Sequence, residues 1–237
     1  MKKLIFAAAI AALTSASVAK ADTQRSWQWS PLGIGLAAPI QLPYTETDIY
    51  GLRLGGFFGW NADVYGLDAG VAEFSTGNVA GLQLSAASWT VGSFAGIKLA
   101  LAANVTDGDN YGLMAAPVNV EWGDVWGLQI GAVDYANTVR GVQIGGLNWV
   151  NSSARAWQCG VANATQEEFL GLSVGAVNYA MRSTGCQIGV INLSDDATGC
   201  QIGVFNATEN MRGLQIGFLN MISASSLPIM VFANASF

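Results

Sequence analysis

The chain writes nearly the same eight residues four times in its second half: GVQIGGLN at 141–148, GCQIGVIN at 185–192, GCQIGVFN at 199–206 and GLQIGFLN at 213–220. With the first glycine as marker, related units begin at 51, 66, 81, 96, 112, 127, 141, 156, 171, 185, 199, 213 and 227, at intervals of 14 to 16 residues. Ala156 and Leu227 replace the marker glycine, and the residue four places on is glycine in nine units. A fixed period of this kind means that the fold is assembled from one repeated unit. Fourteen residues are too few for a helical hairpin, which needs about 33. They suit one strand of eight to ten residues with a short connection. Composition within the unit agrees, since GLQIGFLNMI is rich in β-formers while SDDAT, TENMR and TQEEF are polar turn material.

This reading predicts an all-β chain of one strand per unit. The stretch PLGIGLAAPIQLP at 31–43 adds one irregular strand, giving about fourteen. An even number lets an up-and-down antiparallel meander close on itself and leave no open edge. The expected fold is therefore a closed, shallow antiparallel β-barrel of about 14 strands, a single domain over residues 22–237. Residues 1–21 read as a secretory signal peptide: a basic start at Lys2 and Lys3, an apolar run from Leu4 to Val18, and Ala19-Lys20-Ala21 as the cleavage site. The apolar run is too short to span a bilayer as a helix.

Strict alternation divides a unit into two sides. Leu214, Ile216, Phe218 and Asn220 share one; Gly213, Gln215, Gly217, Leu219 and Met221 share the other. Glycine weakens strands, so its return at Gly131, Gly145, Gly175, Gly189, Gly203 and Gly217 points to a steric demand, either a belt around a curved sheet or tight packing against an inserted segment. Gln129, Gln143, Gln158, Gln187, Gln201 and Gln215 recur at one position. They form either a polar ring able to bind water, sugar or lipid headgroups, or a cross-strand hydrogen-bond ladder. Asn148, Asn163, Asn178, Asn192, Asn206 and Asn220 are expected to lock the strand-to-turn transition through local backbone bonds.

Charge narrows the function. Charged residues make up 11% of the sequence, against roughly 25% in an ordinary soluble domain. Without Lys2, Lys3 and Lys20, seven basic residues face sixteen acidic ones, a net of −9 that excludes a basic nucleic-acid surface. Histidine is absent, which removes conventional Ser-His-Asp and Cys-His catalysis. The chain reads as no enzyme and implies no cofactor or metal. TDGDNYG at 106–112 carries oxygen ligands suited to Ca²⁺, but reads more simply as a turn. From residue 127 onward Asp134 is the one charge inside a strand segment, and Arg140, Arg155, Glu167, Glu168, Asp195, Asp196 and Arg212 lie between motifs. A sheet stripped of charge points to lipid, a protein partner or a bound apolar molecule. The apolar run on one side covers roughly 13 Å at about 3.3 Å per residue, short of the ~25 Å band of a spanning barrel.

The tandem GLQIGxxN units, with PIQLP at 39–43, YGLRLG at 50–55, VYGLDAG at 64–70 and the closing LPIMVFANASF, resemble a group of bacterial cell-surface repeat proteins held to form shallow, radially symmetric β-barrels, termed β-flowers. The resemblance covers nearly the whole mature chain. It implies an exported, envelope-associated protein with no established catalytic residues. Some relatives are lipoproteins; this chain lacks the lipobox cysteine. The expected function is that of a non-enzymatic protein at the outer membrane or cell surface that holds lipid or another hydrophobic partner. The alternatives are an integral outer-membrane barrel channel and a secreted adhesion or scaffold module. If the Leu/Ile side faced inward, the barrel would enclose an apolar cavity for acyl chains, and this is the preferred arrangement.

Cys186 and Cys200 occupy one repeat position in successive units. Parallel strands, as in a solenoid, would set them side by side. In the antiparallel meander they sit roughly 15–20 Å apart at strand rise and are expected to be free thiols.

Overall fold

A computed structural model describes residues 29–37, 40–43 and 46–236; the proposed signal peptide lies outside them. The chain is built of β1 (Trp29–Ala37), β2 (Ile40–Leu42), β3 (Asp48–Asn61), β4 (Val64–Ala69), β5 (Ala72–Ser75), β6 (Val79–Thr90) and β7 (Phe94–Thr106). It continues through β8 (Asn110–Ala115), β9 (Val118–Glu121), β10 (Asp124–Ala136), β11 (Thr138–Val150), β12 (Ser153–Ile222) and β13 (Ile229–Ser236). All join one sheet, in which consecutive units pair parallel and in register. Gly51 lies beside Gly66, Gly66 beside Gly81, Gly127 beside Gly141, and Gly141 beside Ala156. β12 is an unbroken 70-residue run that winds through several units.

The fold is therefore a parallel β-solenoid, not the closed antiparallel barrel that the even strand count suggested. Each 14- to 16-residue unit is one coil, and the next coil sits on top of it. Closure is not what protects the edges. β13 instead pairs antiparallel with residues 213–221, and β2 pairs antiparallel with β1. Each covers a sheet edge that would otherwise offer free backbone groups to another chain.

The two-residue alternation does not survive a whole coil. Gln215 and Asn220, five residues apart, are both buried, so the phase slips by one between them. The register against β13 shifts at the same place, between Gly217 and Asn220. This slip is the corner where the coil turns from one flank to the other, and it brings asparagine to the inside rather than to the side of Leu214, Ile216 and Phe218. Relative to the marker glycine, four rows then face inward, one of them about nine residues after it with Ser75, Thr90, Glu121, Val150 and Ile222. An apolar row two residues before it holds Ile49, Val64, Val79, Phe94, Val125, Val139, Ala154 and Phe169, all buried. The glutamine row follows two residues after it, and the asparagine row seven after it.

Register explains the glycines. Gly213 has φ +142°, a backbone conformation that side chains of L-residues rarely adopt, and a Cβ there would overlap the carbonyl oxygen of Gly199. A Cβ on Gly217 would overlap the carbonyl oxygen of Gly203 and stand 2.6 Å from Asn206 Nδ2. Glycine is thus where one coil's backbone meets the next, inside a solenoid rather than around a barrel belt.

Candidate functional site

Between its apolar rows the interior is polar. All six recurring glutamines are buried at 0–2% exposure, and their amides bond from coil to coil. Gln143 Nε2 donates to Gln129 Oε1 (2.7 Å) and Gln158 Nε2 to Gln143 Oε1 (2.8 Å). After Ser173 interrupts the row, Gln201 Nε2 donates to Gln187 Oε1 and Gln215 Nε2 to Gln201 Oε1, both at 2.8 Å. The structure thus places these glutamines where they meet one another, away from the outer surface.

The asparagines run as a second ladder in the opposite sense. Asn148, Asn163, Asn178, Asn192 and Asn206 each donate from Nδ2 to Oδ1 of the asparagine in the following coil, at 2.7–2.8 Å. Each also donates to a backbone carbonyl of that coil, as Asn178 does to Ile188 O at 2.9 Å. These bonds are between coils, not the local turn bonds expected from sequence; Asn220 does make a local one, to Gly217 O at 2.8 Å. Buried amides with satisfied partners hold register as well as energy, because a slip by one residue breaks all of them together.

Toward the N-terminus, charges replace amides in the same rows. Arg53, Asp68, Gln83 and Lys98 succeed one another at the glutamine position. Arg53 grips Asp68 through two bonds, Nε to Oδ1 and Nη2 to Oδ2, each 2.5 Å, and pairs with Glu73 at 2.8 Å. Gly55, Gly59 and Gly70 surround the Glu73 carboxylate and leave it room. Burial pushes Glu73 up to about 8, Asp68 adds to this, and Arg53 opposes it. Lys98 donates to Thr90 Oγ1, Val105 O and Thr106 Oγ1, and burial brings its ammonium down to about 8. Burial raises Glu121 to about 8 against the pull of Lys98. Sequence reading missed all of these as interior groups. The available signal was that Arg53, Asp68 and Lys98 fall at the glutamine position and Glu73 at the asparagine position of worn repeats, whereas Glu121 stands two residues past Asn119.

The outside carries what a soluble core would hide. The row five residues beyond the marker presents Val71, Leu101, Val161, Val190, Val204 and Phe218, exposed by 50 to 81%, with glycine, alanine or proline in the coils between. This row lies at the corner where the alternation slips. At the opposite corner, between coils, stand the exposed Glu167, Glu168, Asp195, Asp196 and Glu209. Asp109 belongs to that corner too, and its Oδ1 accepts the backbone N–H of Asp124 at 3.0 Å. No group of three or more His, Cys, Asp or Glu gathers in metal-binding geometry among the described residues. On the flank between the corners, planar groups stack along the axis: Tyr111 on Trp126 at 6.4 Å, and Arg140 over Trp126 at 4.2 Å.

Cys186 and Cys200 are joined by a disulfide with Cα atoms 4.7 Å apart, correcting the expectation of two free thiols. Parallel stacking puts equal positions one strand spacing apart, within disulfide reach. Cys159 is free and exposed. No protein family, curated protein or solved structure matches the chain.

Proposed function

We propose that the chain is a non-enzymatic, exported envelope protein that lies with its apolar corner in a lipid surface and its charged corner in water. One observation carries this reading: exposed apolar side chains run along one corner of the solenoid while exposed charges gather at the other. Exposed apolar surface of this extent marks an interaction face. With parallel strands 4.7–4.9 Å apart, the corner from Gly51 to Gly213 extends roughly 50 Å. The signal-like leader and the resemblance to envelope repeat proteins support the location. The apolar side points outward, so lipid would be met on the outer surface rather than held in a barrel cavity.

The face is apolar rather than basic, and the net charge is −6, so binding should need no anionic lipid and should survive salt. Burying Phe218, 68% exposed, would remove about 140 Å² from water and contribute about 3 kcal/mol. The test is flotation of the folded chain with phosphatidylcholine vesicles at 0.1 and 1 M salt. Wild type should float at both, and the F218E/V204E variant should remain at the bottom while keeping its strand circular dichroism. Wild type that fails to float, or that floats only with anionic lipid at low salt, overturns the reading.

A further inference from the structure

One rung of the asparagine ladder is not an amide. Asp134 stands in register with Asn119 on one side and Asn148 on the other, fully buried like both. Asn119 Nδ2 donates to Asp134 Oδ1 at 2.7 Å, as the ladder requires. An asparagine at 134 would pass the bond on by donating to Asn148. The second Asp134 oxygen, Oδ2, instead has no partner, and neither has Asn148 Oδ1. The two oxygens share one niche, for a Cβ built on Gly145 would lie 2.8 Å from the first and 3.0 Å from the second.

Turning the Asn148 amide over does not mend this. Its Nδ2 already uses both hydrogens, on Cys159 O at 3.1 Å and on Asn163 Oδ1 at 2.7 Å. The flipped amide would set oxygen against both of those acceptors, and the same holds for each asparagine beyond it. Two buried acceptors facing each other without a hydrogen cost free energy. A proton on Asp134 removes the conflict, since a neutral carboxylic acid accepts at one oxygen and donates from the other.

We propose that Asp134 carries a proton in the folded chain and donates it to Asn148, so that the asparagine ladder is continuous when the acid is neutral and parted between β10 and β11 when it ionises. Among the described residues no cation faces the carboxyl to favour its charge. On β9 the interior acid is Glu121, two residues past Asn119; beyond it on β7 lies Lys98. On β11 the interior residues are Val139, Gln143, Asn148 and Val150, and Arg140 points outward over Trp126. On β10 itself Asp124 stands at the charged corner, and Tyr135 packs at a tilt against Trp122, with ring centroids 5.2 Å apart. Burial pushes Asp134 up to about 6, against hydrogen bonds from Asn119 and Gly131 that pull it down. The bond to Asn148, made only by the acid form, pushes it further up. Because the folded value lies above the ordinary 3.8, the stabilisation is complete below about pH 3.8 and lost as pH rises through about 6.

The test compares the full chain with D134N, whose amide donates at every pH, by denaturant unfolding from pH 3.5 to 8. Glu73 and Glu121 titrate in both chains, so the difference between the two curves isolates residue 134. D134N should match wild type at pH 3.5 and fold with a tenfold or greater advantage at pH 8. In wild type, the ¹³C signal of the Asp134 carboxyl should titrate at pH 6 or above. Parallel stability curves, a carboxyl titrating near 4, or a D134N chain that does not fold would each overturn the proposal.

Discussion

Gln201 offers the sharpest test of what the interior amides contribute. It is buried, donates to Gln187 Oε1 (2.8 Å) and to Ser194 Oγ (3.0 Å), and accepts from Gln215 Nε2 (2.8 Å). Gln201→Leu keeps the bulk of the side chain and removes all three bonds. At about 1 kcal/mol net for each, the bonds alone account for about 3 kcal/mol. Gln187 Oε1 is then left buried without a donor, which costs a further 1–3 kcal/mol or so. Gln215 Nε2 suffers less because it also donates to Met221 O at 3.1 Å. Leucine returns part of this through its own burial, so the expected loss is about 3–4 kcal/mol. Because stability in a solenoid is a sum over coils and their interfaces, the assay should be local: amide hydrogen exchange across residues 185–222, alongside guanidinium unfolding. Protection should fall in the coils on both sides of 201 and hold near Gln143. A loss under 1 kcal/mol would refute the idea that amide bonding, rather than apolar burial, holds the coils in register.

The disulfide closes a loop of 15 residues, for which chain entropy gives about 3 kcal/mol; C186S/C200S should lose about 2–3 kcal/mol in denaturant unfolding, and an unchanged midpoint would speak against the bond. Glu121 is raised from 4.5 to about 8, so its contribution is complete below about pH 4.5 and disappears as pH climbs through 8. Glu121→Gln should flatten that part of the unfolding curve, and an E121Q chain with the wild-type pH profile would sink the assignment. Gly217→Val should lower thermal stability far more than Thr198→Val at an exposed corner, because only the first meets the Gly203 backbone; equal melting losses would remove the steric argument.

The period, the strand content and the need for glycine were legible in the sequence. Strand direction was not, because alternation and turn chemistry look alike in a meander and in a solenoid. The deciding signal was present but subtle. Glutamine recurs above glutamine, asparagine above asparagine and cysteine above cysteine, and identical amides satisfy one another when parallel strands stack in register. The inside was also misassigned. The expectation that Leu214 and Ile216 face inward follows the usual rule for apolar residues, whereas the interior keeps small residues, mostly glycine, where backbones meet and holds amide ladders between its apolar rows. Asn220 was placed on the side of Leu214 and Ile216 because one alternation was carried through the corner at Gly217. The interior position of Asp134 and Glu121 could be found only after register was known.

The pairing of Cys186 with Cys200 tests the parallel stacking most directly. Asp195 and Asp196 lie between the two cysteines, so cleavage before aspartate separates them unless a bond joins them. The chain, purified after export without reductant and treated with a mild oxidant, should be denatured, alkylated, cleaved and weighed by mass spectrometry. The solenoid predicts one alkylated cysteine, Cys159, and a linked pair of peptides carrying Cys186 and Cys200. Three alkylated cysteines in a monomeric chain, with no 186–200 link, would contradict it.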